Sequence, residues 1–275
     1  MTLVVHVGPA GFGPKEWMIM PNLGPSPRRI ARKSVLERVF AILDCFTAEE
    51  PELTLAELAS RTAIPKPTVH RITKVLVEEQ LLKRTAAGFG LGIHLFELGE
   101  LVGDRRKLRD AALPFMEELF EQTHETVHLA VLDGTEVLYF MKIVGHGAFP
   151  LPTRAGGRWP PHASALGKVL LASGNPEALR RLLASSLRPL TPHTIVEPSR
   201  LLKQLEVVRR EGVAFDYEEA VLGNTCVAAP IFSSNGHPVA AISISGPPFR
   251  LQPVRRAPLV RRAAAKISKR AGGAR

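Results

Sequence analysis

The stretch that decides the fold is Thr54-Leu-Ala-Glu-Leu-Ala-Ser-Arg-Thr-Ala-Ile-Pro-Lys-Pro-Thr-Val-His-Arg-Ile-Thr-Lys-Val-Leu76. Thr54 followed three residues later by Glu57 is a capping box, in which each side chain serves the other's orphan backbone N–H. It opens a short helix through about Arg61, with Leu55, Leu58 and Ala59 apolar. A turn at Thr62–Pro65 leads into a second helix. Proline disfavours helical geometry in the residue before it and suits the first helical position, so this helix is predicted to start at Pro67 with Lys66 just outside. Val69, Ile72 and Leu76 recur at helical spacing and should face a core. That leaves Lys66, Thr68, His70, Arg71 and Lys74 outward, the residue types that contact phosphates and, through a bidentate arginine, the edge of guanine.

Working outward, Ser34-Val-Leu-Glu37 is another capping box, opening the apolar run Val35, Leu36, Val39, Phe40, Ile42, Leu43 and Phe46. Downstream, Leu81–Thr85, Ala86-Ala-Gly88 and Phe89–Gly92 read as strand, turn and strand. Three helices and a hairpin make a winged helix-turn-helix over residues 31–92, with the predicted recognition helix in the major groove of DNA. Residues 1–30 read as a flexible Gly/Pro-rich extension, and 93–110 as a linking helix that ends in a basic cluster. Beyond it, a helix at about 110–123 precedes strands at Thr126–Leu132, Val137–Ile143, Val213–Asp216, Cys226–Phe232 and Val239–Ser245. Helices near 165–172, 176–185 and 198–210 separate them, so residues 111–270 read as an α+β domain on an antiparallel sheet.

Charge is a poor guide. The net +10 resolves into +3 over residues 1–108, −1 over 109–254 and +8 over 255–275, so most of the surplus lies outside the expected DNA reader. The basic tail reads as a final helix with Val260, Ala264 and Ile267 inward and its arginines solvated. With 45% hydrophobic and 23% charged residues the composition is that of a soluble globular chain. No apolar run approaches the roughly 18–20 residues that a membrane span requires, and no secretory signal is visible. Two cysteines, Cys45 and Cys226, make neither a disulfide framework nor a zinc set, which fits a reducing cytoplasm.

Three further features bear on chemistry. His124-Glu-Thr-Val-His128 matches the H-E-x-x-H zinc pattern, which needs both imidazoles on one helix face. It runs into the β-branched stretch Thr126–Leu132, and on a strand residues four apart lie roughly 13 Å from each other. A loop histidine and a strand histidine are therefore expected, with no metal ligands. The stretch 154–168 holds a Gly-Gly pair at Gly156, a possible ligand approach, and Ser164, a good helix cap; His162 there has no Ser or Cys elbow to serve as a catalytic base. In Ala241-Ile-Ser-Ile-Ser245, period-two alternation sets Ala241, Ser243 and Ser245 opposite Ile242 and Ile244, while Cys226 and Ala228 share a face opposite Val227 and Ala229. A small, hydroxyl- and thiol-lined face suits a pocket for a small polar ligand.

Taken together, Ser34–Arg38, Leu55–Ala59, Pro65–Arg71, Glu125–Gly134, Pro161–Lys168, Cys226–Ile231 and Ala241–Pro247 give the chain a resemblance to the IclR family of bacterial transcriptional regulators over about residues 32–270. The resemblance implies a winged helix, a linker helix and a GAF/PAS-like effector domain, in dimers or tetramers on palindromic operators. It also implies a small organic, often carboxylic, effector and no cofactor, with Gly156, Asp216, Cys226, Ser243 and Ser245 at the effector pocket. The chain departs from the family at Pro67, where Ser or Thr is usual, at His124, usually Gly, and at Gly90, where a basic wing residue is common. Trp159 and Asn224 replace commoner aliphatic residues near the expected pocket. The expected function is thus an operator-binding regulator; the alternative is a zinc hydrolase on His124, Glu125 and His128 or a thiol enzyme on Cys226.

Overall fold

Ser34 opens the first helix. Its Oγ accepts the Glu37 N–H at 3.2 Å while the Glu37 carboxylate takes the Ser34 N–H at 2.7 Å, and α1 follows over Val35–Leu43. The same reciprocal cap at Thr54 and Glu57 starts α2, Leu55–Thr62. These contacts belong to a computed structural model, which describes residues 34–145 and 149–272. The extension read over residues 1–30 lies outside the described residues.

Helix α2 ends with Ala63 in the left-handed region, and α3 spans Lys66–Glu78. Its start differs by one residue from the sequence expectation. The extended Pro65 is the cap, and its carbonyl accepts the Thr68 and Val69 N–H groups at 2.8 and 3.0 Å. Lys66 is therefore the first helical residue and Pro67 the second, where the missing proline N–H is still one the helix would leave unpaired. The hairpin forms as β2, Leu82–Arg84, and β3, Phe89–Leu91. A third strand, β1 at Glu52–Leu53, pairs with β3 and has no counterpart in the sequence reading. Gly88 permits this pairing: a Cβ there would sit 2.4 Å from the Leu53 carbonyl oxygen. Ile42, Leu53, Leu58, Val69, Ile72, Leu76, Leu82 and Phe89 close the core of this domain.

The linking segment is two helices. Helix α4 covers His94–Glu100, and α5 runs without interruption over Gly103–Thr123. The expected single linker at 93–110 and separate helix from 110 are thus corrected: the break falls at Leu101–Val102. Gly99 and Gly103 flank it, and glycine weakens helix continuity on either side. Arg109 bridges the bend with a two-pronged ion pair to Glu100 at 2.8 and 3.0 Å.

The second domain is built on a six-stranded antiparallel sheet in the order β6-β5-β4-β9-β8-β7. Its strands are β4 at Thr126–Asp133, β5 at Glu136–Ile143, β6 at Arg158–Trp159, β7 at Ala214–Tyr217, β8 at Thr225–Phe232 and β9 at Pro238–Gly246. One face, with Leu129, Val227, Ile242 and Ile244, packs on α5 and on the last helix, α10 at Pro253–Arg270. Val260, Ala264 and Ile267 of α10 point into that core, as its periodicity predicts. The other face, with Ala130, Ala228 and Ala241, packs on α6 at Ala165–Ser173, α7 at Pro176–Leu183 and α8 at Pro198–Glu211. A short α9, Pro248–Leu251, precedes α10. No helix among the described residues is long and apolar enough to cross a membrane.

Candidate functional site

Two surfaces hold the residues singled out from the sequence. The first is the outward side of α3. Val69, Ile72 and Leu76 are buried, whereas Lys66, His70, Arg71 and Lys74 are exposed and Thr68 is half-buried. Thr73, which also falls on the polar register, turns inward and donates to the His70 carbonyl at 3.1 Å. Lys66, His70 and Arg71, with the half-buried Thr68, thus give the first two turns of the helix a polar exposed side. Lys74 approaches Glu78 at 3.9 Å, an exposed pair of little energetic weight. The exposed Lys83 and Arg84 of β2 extend the basic surface onto the wing, where Gly90 is buried and carries no side chain.

The second is a narrow recess with about 20 Å³ of free cavity, on the α6 face of the sheet. The alternation of β8 and β9 works as read. Val227, Ile242 and Ile244 enter the α5/α10 core, while Cys226, Ser243 and Ser245 line the recess together with Asp216 from β7. The register places Asp216 opposite Cys226 and Cys226 opposite Ser245, so these side chains cross three adjacent strands. Gly156 does not join them. It occupies an exposed turn at φ +77°, and its N–H donates to the Tyr139 carbonyl at 2.8 Å, so it fixes the backbone of a residue that does line the recess.

The sequence reading set Trp159 and Asn224 near the pocket and singled out Ser164, but left out His128, Tyr139 and Thr153 as lining residues. His128 of β4 bonds through Nε2 to Thr153 Oγ1 at 2.9 Å, lies 3.4 Å through Nδ1 from Ser245 Oγ, and stands edge-on to Tyr139. Burial, aided by the nearby Lys142 ammonium, pushes its pKa down to about 3, so the imidazole is neutral. Ser164 caps α6, accepting the Gly167 N–H at 3.1 Å, and also faces the recess. Trp159, Tyr139, Thr153 and Asn224 complete the polar lining. Among its described lining residues there is no lysine or arginine, and Asp216 is the one acid.

Asp216 is fully buried. Its Oδ1 accepts the Glu219 and Ala220 N–H groups at 2.7 and 3.4 Å, and its Oδ2 has no partner. Burial pushes its pKa up to about 7, against the pull of Lys168. Behind it Lys168, wholly buried, forms an ion pair with Glu219 and donates to the Phe215 carbonyl at 3.2 Å. Burial, with the Asp216 charge, also raises the Cys226 thiol well above its ordinary range. A nucleophilic thiol needs the reverse, a depressed pKa, so the Cys226 enzyme alternative has no support in the site. The Asn224 amide donates to that sulfur at 3.3 Å.

Six buried side-chain polar atoms lack a hydrogen-bond partner among the described residues, and three of them belong to the recess lining: Trp159 Nε1, Asp216 Oδ2 and Asn224 Oδ1. Each such atom costs about 1–3 kcal/mol unless something satisfies it. Half of the six thus belong to one concavity.

The zinc-like motif takes neither role that metal chemistry requires. His124 is the left-handed C-cap of α5 at φ 54°, a conformation in which Gly is the residue of least strain. Glu125 is committed to Arg250 through a two-pronged ion pair, and His128 lies in the recess on β4. The two histidines share no helix face, so the hydrolase alternative is set aside. His162 is likewise occupied, with Nε2 bonded to the Arg188 carbonyl at 3.0 Å.

Comparison with known proteins agrees with this geometry. A solved structure described as an IclR homolog complexed with 4-hydroxybenzoate, from Microbacterium hydrocarbonoxydans, superposes with a TM-score of 0.81 at 32% identity, covering 86% of this chain and 99% of that one. The chain is 34% identical over 217 residues to the HTH-type transcriptional regulator KipR of Bacillus subtilis, covering 78% of this chain and 86% of that protein. It is 32% identical over 221 residues to the transcriptional repressor IclR of Escherichia coli, covering 78% and 81%. A winged helix joined to a sheet domain of this kind defines a DNA-binding transcriptional regulator, not an enzyme. The IclR helix-turn-helix domain matches residues 35–86 and the bacterial transcriptional regulator IclR C-terminal domain matches residues 101–269, so the chain belongs to the IclR family.

Proposed function

We propose that Lys66, Thr68, His70, Arg71 and Lys74 contact operator DNA, and that a small organic acid held near Asp216, Cys226, Ser243 and Ser245 tunes that contact. The exposed polar side of α3 carries the first half of this reading. Arg71 reads a base edge, and the others position the helix on the phosphates, with Lys83 and Arg84 taking the wing contact that Gly90 lacks. The unpartnered atoms of the recess carry the second half. Gly156 acts there as a positioning turn beneath Tyr139. The solved neighbour bound to 4-hydroxybenzoate supports a small acid as the effector class. Ligand binding shifts the population between DNA-competent and DNA-incompetent arrangements.

The working unit in this reading is a homo-oligomer in the cytoplasm, at least a dimer. Val35, Leu36 and Phe40 of α1 in the DNA-reading domain, and Ile93, Phe96 and Leu101 around α4 in the linking segment, are large apolar residues left 59–78% exposed. Exposed apolar patches of this kind mark interaction surfaces. A second copy of the chain is the occupant that also supplies the second reading helix a palindromic site requires. The test is a gel shift on the chromosomal region upstream of the protein's own gene, with wild type and Arg71→Ala. Loss of discrimination between operator and scrambled DNA is expected; unchanged specificity would sink the placement of α3. Sedimentation of Phe40→Glu gives the oligomeric state, and an unaltered mass overturns the α1/α4 interface.

A further inference from the structure

The three orphaned atoms of the recess are not scattered. Trp159 lies on β6, one edge strand of the sheet, and Asp216 lies on β7, the other edge. Asn224 precedes β8 directly beside it, with Asp216 and Cys226 in register. The chemistry of the two ends differs. An indole N–H can only donate. Asn224 has its Nδ2 engaged with the Cys226 sulfur, so its Oδ1 is left as an acceptor, and Asp216 Oδ2 is a second unpartnered oxygen of the lining. Ala165 and Leu166, from the start of α6, also line the recess, and first-turn N–H groups have no carbonyl partner within their helix. Such donors suit the oxygens of an acid. The opposite end demands a group with a hydrogen to give. With no lysine or arginine among the described lining residues, these neutral contacts decide what fits.

We propose that Trp159 and Asn224 determine effector specificity, selecting a small hydroxy acid whose acid oxygen accepts from Trp159 Nε1–H and whose hydroxyl donates to Asn224 Oδ1. This rests on the effector-site reading above and specifies its ligand. A near-neutral Asp216 supports it, since that carboxyl meets the acid without the full repulsion of a second charge. A site built to bond a hydroxyl rejects the analogue lacking it far more strongly than an apolar pocket does, because its own polar atoms then stay unpaired.

The experiment is calorimetric titration of the full chain with paired acids: 4-hydroxybenzoate and benzoate, 3-hydroxybenzoate and benzoate, mandelate and phenylacetate, lactate and propionate. At least one hydroxy acid is expected to bind ten times more tightly than its deoxy partner. In Asn224→Leu that preference should fall below twofold with the deoxy acid bound as before. In Trp159→Phe both members of the pair should weaken at least tenfold. Equal binding of both members by wild type leaves an effector site standing but overturns the hydroxyl assignment. No binding by any acid overturns both readings. A preference that survives Asn224→Leu removes Asn224 from the specificity set, and the proposal with it. The wild-type comparison needs no variant, so it decides the hydroxyl assignment even where a substitution impairs folding.

Discussion

The two functional surfaces handle polarity in opposite ways. On α3 the polar side chains stand in water, and the fold spends nothing to hold them. In the recess the polar groups are buried, several are unpartnered, and a buried Lys168–Glu219 pair sits behind them. A reader of DNA must be able to exchange water for phosphate and base edges. A sensor of a small molecule must keep groups dry and unsatisfied until the molecule arrives. The same residue types therefore contribute to binding alone on one surface, and to both binding and stability on the other.

Substitutions that separate stability from binding test this contrast. The largest effect is expected at Lys168→Ala, which strands a buried Glu219 carboxylate. The sheet domain should lose about 3–5 kcal/mol in denaturant unfolding, and a loss below about 1 kcal/mol would erase the contrast. Arg71→Ala should do the reverse: about 1–3 kcal/mol of operator discrimination lost in titrations against specific and scrambled DNA, with a melting temperature that does not move.

The third test uses pH. The folded pKa of Asp216 is raised to about 7 from an ordinary 3.8, so its contribution to stability is fully present below about pH 4. Above that, the native state holds more protons than the unfolded chain, and the contribution is lost as pH rises to about 7. His128, lowered to about 3, works oppositely: stability is lost as pH falls below 6.5. Subtracting Asp216→Asn from wild type cancels the histidine. The stability difference should therefore fall between pH 5 and 7, by up to about 1.4 kcal/mol per unit, and then level off. A flat difference would show that Asp216 is ionised throughout. The smallest effect is Thr54→Ala, which removes the α2 cap and should cost the reading domain about 1 kcal/mol in thermal or chemical unfolding.

What could be read from the sequence follows the range of the interactions. Capping boxes at Ser34 and Thr54 act over three residues, and the alternation in β8 and β9 acts over two, so both were visible in the chain. The face carrying Cys226, Ser243 and Ser245 was legible for that reason, and Asp216 only through the family resemblance. Strand β1 escaped because two residues carry no periodicity, and it exists only through its pairing with β3. The break at Leu101–Val102 was hidden by apolar spacing that continues across it, while the ion pair that bridges the bend joins residues nine apart. His128 and Tyr139 come from strands whose neighbours are set by tertiary pairing, and Lys168 meets Glu219 across 51 residues. No local pattern reports such encounters. The orphaned atoms at Trp159 and Asn224 are a property of the assembled recess alone.

Helix α5 has one more consequence. It starts just past the bend that follows the DNA-reading domain and ends at His124, four residues before the recess histidine on β4. Its 21 residues make a rod about 31 Å long at 1.5 Å per residue. A tilt of about 6° at its C-terminal end would carry its far end through roughly 3 Å, close to the ~3.4 Å step from one base to the next along a DNA strand. Over such a length, a tilt no larger than a side-chain adjustment at one end would become a displacement of about one base step at the other.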